Sequence, residues 1–129
     1  MKKIFIVLPL FLSFFGFGQI DSASIIGQSV RIGNLEVAQY DFPKRMNWHN
    51  AKRVCEGLGI GWRLPTKDEL NSIYLYKKNI GGFRKGCCYW SSTEALDGNV
   101  WGQRFSFGYQ FDGAKIHPNF VRAVRSVNF

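Results

Sequence analysis

From Asn47 onward the apolar positions Trp48, Ala51, Cys55 and Leu58 recur at intervals of three and four, the stripe of an amphipathic helix. Asn47 is the expected N-cap, since its side-chain oxygen can accept from the free backbone amides of the first turn. Gly57 and Gly59 end this helix, and the second suits a left-handed position just past it. Trp62-Arg63-Leu64 is a short extended segment, and Pro65 keeps Leu64 away from helical angles. A second helix opens on Thr66-Lys67-Asp68-Glu69, a capping box in which Thr66 caps the amide three residues on and Glu69 reaches back. Its buried stripe is Leu70, Ile73 and Tyr74. Lys77 and Lys78 suit the negative end of the helix dipole, and Gly81-Gly82 closes it.

The rest of the pattern has period two. Leu35-Glu36-Val37-Ala38 alternates within an extended stretch from Val30 to Tyr40, which Asp41-Phe42-Pro43-Lys44 breaks. Tyr89 to Ser92 is a strand, and Val100 to Phe107 is another, with Trp101, Phe105 and Phe107 on one side of the pleat. Gly108 and the Asp112-Gly113 pair mark turns, the second a hairpin signal. Val121 to Val127 is the last strand, expected in a central place that joins the two ends of the domain. No repeat or linker interrupts the series. The class is α+β: two helices packed on a small, irregular, mostly antiparallel sheet.

The first eighteen residues read as a signal peptide. Met1-Lys2-Lys3 is a positive start, Ile4 to Phe15 is an apolar run, and Gly16 and Gly18 stand at the −3 and −1 positions of a cleavage site before Gln19. So short a run falls below the roughly 20 residues of a permanent span. No stable membrane span is expected after cleavage. Residues 19–29 are polar and small, a loose lead-in, and residues 30–129 form one domain.

Composition sharpens this outline. Removing Lys2 and Lys3 lowers the formal charge from +8 to +6, with 15 basic residues against 9 acidic ones. A basic balance suits acidic polysaccharide, anionic headgroups or nucleic acid, and export removes nucleic acid as a normal partner. Three cysteines remain: Cys55, Cys87 and Cys88. Disulfides persist outside the cytoplasm, so Cys55 is expected to bridge either Cys87 or Cys88. The odd thiol makes a disulfide-linked dimer possible.

Taken in order, three segments carry a resemblance. They are Gly61-Trp62-Arg63-Leu64-Pro65-Thr66-Lys67-Asp68-Glu69-Leu70, Tyr89-Trp90-Ser91-Ser92-Thr93-Glu94 and Val121-Arg122-Ala123-Val124-Arg125. The chain resembles the Lcl C-terminal domain family, a domain of unknown function, from about Gly33 to Val127. The resemblance implies a C-type-lectin-like architecture with a structural framework of Trp48, Trp62, Arg63, Leu64, Pro65, Thr66, Glu69, Trp90, Ser91, Ser92, Arg122 and Arg125. Many members carry a cysteine where this chain has Ala123, so any inherited disulfide pattern is altered here.

Catalytic chemistry finds little support. The hydroxyls of Ser91, Ser92 and Thr93 lack a base in a recognisable motif, since the histidines are only His49 and His117. The cysteines lack paired zinc spacing. The Glu-Pro-Asn and Trp-Asn-Asp signatures of calcium-dependent sugar-binding lectins are absent, and Asp97, Asn99 and Asp112 do not make a calcium loop. Formylglycine-generating oxidases share the architecture and a similar Arg-Leu-Pro-Thr run, but they use a pair of copper-binding cysteines. Here Cys87 and Cys88 are adjacent and the surrounding active-site sequence is missing. No catalytic residue, metal or cofactor is expected.

What remains is Asp97 to Asn119, the segment that in lectin-like folds supplies the ligand-facing surface. Its candidate ligand-binding residues are Asn99, Trp101, Gln103, Arg104, Tyr109, Asp112 and Lys115, a mix of rings, amides and charge. The alternation puts Arg104 opposite Trp101 and Phe105, and Gln103 on the Trp side. The expected function is an exported, noncatalytic binding module for an acidic polysaccharide, surface glycoprotein or other surface ligand, in the periplasm or outside the cell. The alternative is a structural envelope or matrix protein that self-assembles.

Overall fold

A computed structural model describes residues 21–86 and 88–128. The expected leader and its cleavage site, together with Cys87, lie outside them.

The N-terminal strand region is a hairpin. β1 (Val30–Ile32) and β2 (Leu35–Val37) are joined at Gly33-Asn34, with Ile32 opposite Leu35. Gly33 has a φ of 59°, which a glycine adopts without strain. β7 (Val124–Ser126) enters between β2 and the two-residue β3 (Trp62–Arg63), so the order is β1-β2-β7-β3, every pair antiparallel. The last strand thus holds the central place expected for it.

The lead-in is not loose. Ser22–Ile26 forms a helical turn, α1, capped by Asp21, and Ile25 is only 4% exposed. The amides of Gln39 and Tyr40 donate to the carbonyls of Ile26 and Ile25, which fastens α1 beside the end of β2. Isoleucine at that spacing was the sequence signal. One apolar turn is too short to show periodicity.

α2 (Trp48–Glu56) and α3 (Lys67–Leu75) are the two expected helices. Asn47 Oδ1 accepts from the amide of Asn50 at 2.9 Å, and Trp48, Ala51 and Cys55 face inward. The capping box is complete: Thr66 Oγ1 accepts from the Glu69 amide at 3.2 Å, and Glu69 Oε1 accepts from the Thr66 amide at 2.9 Å. The helix stops at Tyr76 and resumes as the single turn α4 (Lys77–Ile80), so the expected continuous helix to Gly81 is broken. At the break the Tyr76 amide turns to the carbonyls of both Ser72 and Ile73.

A second sheet holds β4 (Cys88–Glu94), β5 (Val100–Arg104) and β6 (Gln110–Gly113) in that order, antiparallel. The β5–β6 turn lies at residues 105–108, closed by the Gly108 amide on the Arg104 carbonyl at 2.7 Å. Asp112 and Gly113 instead pair with Trp101 and Val100 inside the ladder, so the Asp-Gly hairpin signal is overridden. Phe107, expected to follow Phe105 inward, falls in the turn and is 73% exposed. Gly102 is required by close approach, because a Cβ there would lie 2.8 Å from Phe111 and 2.9 Å from the Tyr89 carbonyl.

Two apolar clusters fill the interior. One gathers Trp48, Cys55, Trp62 and Trp90 with Ile25. The other packs Leu70 and Ile73 of α3 against Val37, Tyr89, Phe105 and Val124. Across the second cluster runs a buried charge. Arg122 Nε donates to Asp41 Oδ1 at 2.8 Å, its Nη atoms reach the carbonyls of Ala38 and Gly81, and the Phe83 ring centre lies 3.9 Å away. Tyr89 donates its hydroxyl proton to Asp41 Oδ2 at 2.6 Å.

Among the described residues the bridge expected from Cys55 is not formed: Cys55 is a free thiol in the first cluster and no disulfide links it to Cys88, while the Cys87 alternative lies outside them. Facing inward from α2 among tryptophans and aliphatic side chains, it acts as a small core residue.

Removing one partner of a buried pair costs about 3–5 kcal/mol, whereas replacing both with apolar groups is often neutral. Arg122→Met should therefore lower the unfolding free energy by about that amount in urea melts, and Arg122→Met with Asp41→Leu should recover part of it.

Candidate binding surface

The seven residues expected to face a ligand do not form one cluster. Trp101 and Gln103 point toward α3. The Lys67 ammonium sits 3.7 Å from the Trp101 ring centre, a close cation–π contact. Gln103, expected at the surface, is 0% exposed. Its Nε2 donates to Asn71 Oδ1 at 2.9 Å and to the Gly108 carbonyl at 2.8 Å. Gln110 Nε2 in turn donates to Gln103 Oε1 and to the Lys67 carbonyl. Gln103 is therefore corrected from a ligand residue to the joint that clamps the hairpin onto α3. A buried amide is tolerated there because both its ends are satisfied.

At the base of the hairpin the roles are local. The backbone of Asn99 closes the short turn Leu96–Gly98, accepting from the Ala95 amide and donating to the Leu96 carbonyl. Lys115 Nζ lies 2.8 Å from Glu94 Oε2 and 4.8 Å from the Trp48 ring centre. Asp112 is exposed opposite Trp101.

The tip is different. Arg104 lies on the opposite strand face from Trp101, half-buried, with its guanidinium 5.8 Å from the Phe107 ring centre. Tyr109 is 56% exposed beside them. Gly108 rests directly on Tyr74 of α3, since an added Cβ would meet that ring at 2.5 Å. The tip is thus held at both ends of its turn while presenting two rings and a guanidinium outward.

Next to it opens a small pocket of about 180 Å³, lined by Lys77, Gly82, Phe83, Arg84, Lys85 and Phe105. No carboxylate lines it. The sequence signal was present but unread: from Leu70 to Thr93 there is no Asp or Glu, against Lys77, Lys78, Arg84 and Lys85. Arg84 is 3.9 Å from Asp41, whose charge is already engaged by Arg122.

A larger groove, about 840 Å³, lies between the β1–β2 hairpin and α3–α4. Its helical wall is Glu69, Ser72, Tyr76 and Asn79, its floor Val30, Ile32 and Leu35, and Ser126 and Asn128 close one end. Arg63 holds Glu69 with two contacts, 2.7 and 3.1 Å, and reaches Ser126 Oγ at 2.7 Å.

Protonation favours structure over reactivity. Burial pushes the Cys55 thiol far up, with Glu56 adding to it, so the nucleophilic thiolate is suppressed. Burial also raises Asp41, against the pull of Arg122, and it raises the Tyr89 hydroxyl. The hydroxyls of Ser91 and Thr93 serve the backbone. Ser91 donates to the Trp101 carbonyl at 2.6 Å, and Thr93 Oγ1 accepts from the Lys67 amide at 2.9 Å. Among the described residues, no group of three or more His, Cys, Asp or Glu side chains could hold a metal ion. No helix among them is long and apolar enough to cross a membrane.

The architecture is C-type-lectin-like. Botrocetin aligns at a TM-score of 0.59 and 12% identity, covering 78% of this chain and 98% of that one. The snake venom toxin convulxin aligns at 0.61 and 9%, covering 80% and 98%. EMS16, an antagonist of the collagen receptor integrin alpha2beta1, aligns at 0.58 and 10%, covering 78% and 98%. At such identities the likeness establishes the fold alone. Within that architecture the chain belongs to the Lcl C-terminal domain family, whose sequence model matches residues 28–125. No curated protein matches it.

The capping box gives a pH test. Burial acts to raise the Glu69 pKa, but the Arg63 hydrogen bonds and the Thr66 amide outweigh it, and the net shift is downward. A carboxylate lowered in the folded state stabilises above its unfolded value of 4.5 and loses that contribution as pH falls through the folded value. Glu69→Gln should cost about 1 kcal/mol at neutral pH. In denaturant melts the gap to the parent should close as the pH drops well below 4.5.

Proposed function

We propose that this protein is an exported, noncatalytic binding module that recognises an acidic glycan, carried on a polysaccharide or a surface glycoprotein. The observation that carries this reading is the rigid tip of the β5–β6 hairpin beside a pocket whose charged lining residues are all cations. Phe107 and Tyr109 offer flat apolar faces to sugar rings. Arg104 lies by the Phe107 ring, Lys77, Arg84 and Lys85 line the pocket, and all four suit carboxylate or sulfate groups.

Preorganisation supports recognition. The hairpin is fixed through Gln103, Gln110 and Gly108 before any ligand arrives, so little ordering entropy remains to be lost. Catalysis lacks an equivalent basis: the buried thiol is protonated and the Ser91 and Thr93 hydroxyls are engaged by backbone. EMS16 is described as an antagonist of an integrin, which supports recognition as work that this architecture can carry. The leader expected at residues 1–18 supports a periplasmic or extracellular location, where nucleic acid is not a normal partner.

The test is a glycan and polysaccharide array at near-physiological and raised salt, with Arg104→Ala and Phe107→Ala beside the parent. Sulfated or uronic-acid glycans should bind, part of the signal should survive raised salt, and Phe107→Ala should weaken it about tenfold. Binding to every polyanion that vanishes at raised salt would reduce the reading to unselective charge. Silence across the array, with a dimer or larger species by light scattering, would replace it with the self-assembling alternative.

A further inference from the structure

α3 presents three faces, two of them occupied. Leu70 and Ile73 enter the core, and Lys67, Asn71 and Tyr74 meet the β5–β6 hairpin. The third face, turned away from the hairpin, carries Glu69, Ser72 and Tyr76, and Asn79 of α4 extends it. We propose that the groove of about 840 Å³ between this face and the β1–β2 hairpin is a binding site for a neutral oligosaccharide, separate from the acidic-glycan surface and independent of it.

The lining chemistry selects the ligand. The side chains of Asn34, Ser72, Tyr76 and Asn79 converge on the groove, and none of them makes a hydrogen bond within the described residues. Each amide and each hydroxyl offers both donor and acceptor, the same dual capacity as a sugar hydroxyl. The Tyr76 ring, 52% exposed on the helical wall, provides a flat partner for the C–H face of a pyranose. Val30, Ile32 and Leu35 supply an apolar floor. The volume lies within the roughly 300–1,000 Å³ of small-ligand clefts and holds a few sugar rings.

Charge excludes the competing classes. The lining has one cation, Arg31, and one carboxylate, Glu69, in a chain whose formal charge is +8. Glu69 is already held by both Nη atoms of Arg63. A sulfate or phosphate group would find no surplus of positive charge, and an acyl chain would strip water from the amides without replacing its hydrogen bonds.

Isothermal titration of the protein with maltotetraose, cellotetraose and N-acetylchitotetraose tests the site, with amide chemical-shift mapping of whichever binds. At least one should bind saturably with an affinity unchanged by raised salt, and with shifts at Asn34, Ser72 and Asn79. Tyr76→Ala should weaken binding about tenfold, while Arg104→Ala leaves it unchanged. Tyr76 closes the α3–α4 break, so a thermal melt accompanies the variant. If its midpoint falls, Asn79→Ala on the same wall supplies the comparison. No saturable binding to any of the three, undiminished affinity in a folded variant, or shifts confined to residues 104–109 would each overturn the proposal. The acidic-glycan reading fails on a different observation, the loss of array binding to sulfated or uronic-acid ligands.

Discussion

Everything around the second core cluster depends on satisfying one buried guanidinium. Arg122 lies at the entry to the central strand β7, and its partners come from the segment after β2 (Ala38, Asp41) and the residue that caps α4 (Gly81). Tyr89 of β4 joins through Asp41, and it accepts a hydrogen bond from the Arg84 amide at 2.7 Å. An isolated buried charge would cost several kcal/mol, so these segments are stable only together. That constraint unites the four-stranded and three-stranded sheets, which share no ladder.

The same constraint positions the cationic pocket. The loop from Gly82 to Lys85 leaves the Arg122 site directly, with Phe83 against the guanidinium and the Arg84 backbone fixed by Tyr89. Its lysine and arginine side chains are therefore carried on a backbone whose start is fixed by the core. α3 does similar work for the hairpin and for the groove, since one rigid helix forms a wall of each. A helix can serve three neighbours because its side chains divide by angle, and residues three or four apart share a face.

How much of this was legible follows from the range of the interactions involved. The capping box of Thr66 and Glu69, the Asn47 cap and the inward stripe of α2 are local, and local chemistry is written in adjacent residues. The face assigned to Arg104 followed from strand alternation alone. Of the two glycine signals for turns, the one at Gly108 holds and the one at Asp112-Gly113 does not. Gly108 marks the turn, where the Tyr74 ring leaves no room for a Cβ, while Gly113 pairs with Val100 inside the ladder. Gln103 was misread for a related reason. Its partners Asn71 and Gln110 lie 32 and 7 positions away, so nothing beside it in sequence marks it as satisfied in the interior. Ser72, Tyr76 and Asn79 carry no signal of their own in the sequence, since only the β1–β2 hairpin opposite turns their face into a wall.

Net positive charge alone would make a poor recognition device. Attraction between exposed charges is screened beyond about 8 Å at physiological ionic strength, and a cluster of lysines draws any polyanion within reach. Selectivity requires contacts that keep their value when charge is screened. The structure sets such contacts beside the cations: rings that stand free at the hairpin tip, anchored by hydrogen bonds on the face turned away from solvent. The aromatic surplus of this chain is thus divided by location. Trp90, Tyr89 and Phe105 hold the sheets, while Phe107, Tyr109 and Tyr76 remain outside, where burial against a ligand would still gain free energy. The fold needs the first group, and a binding function gives a physical reason for the second.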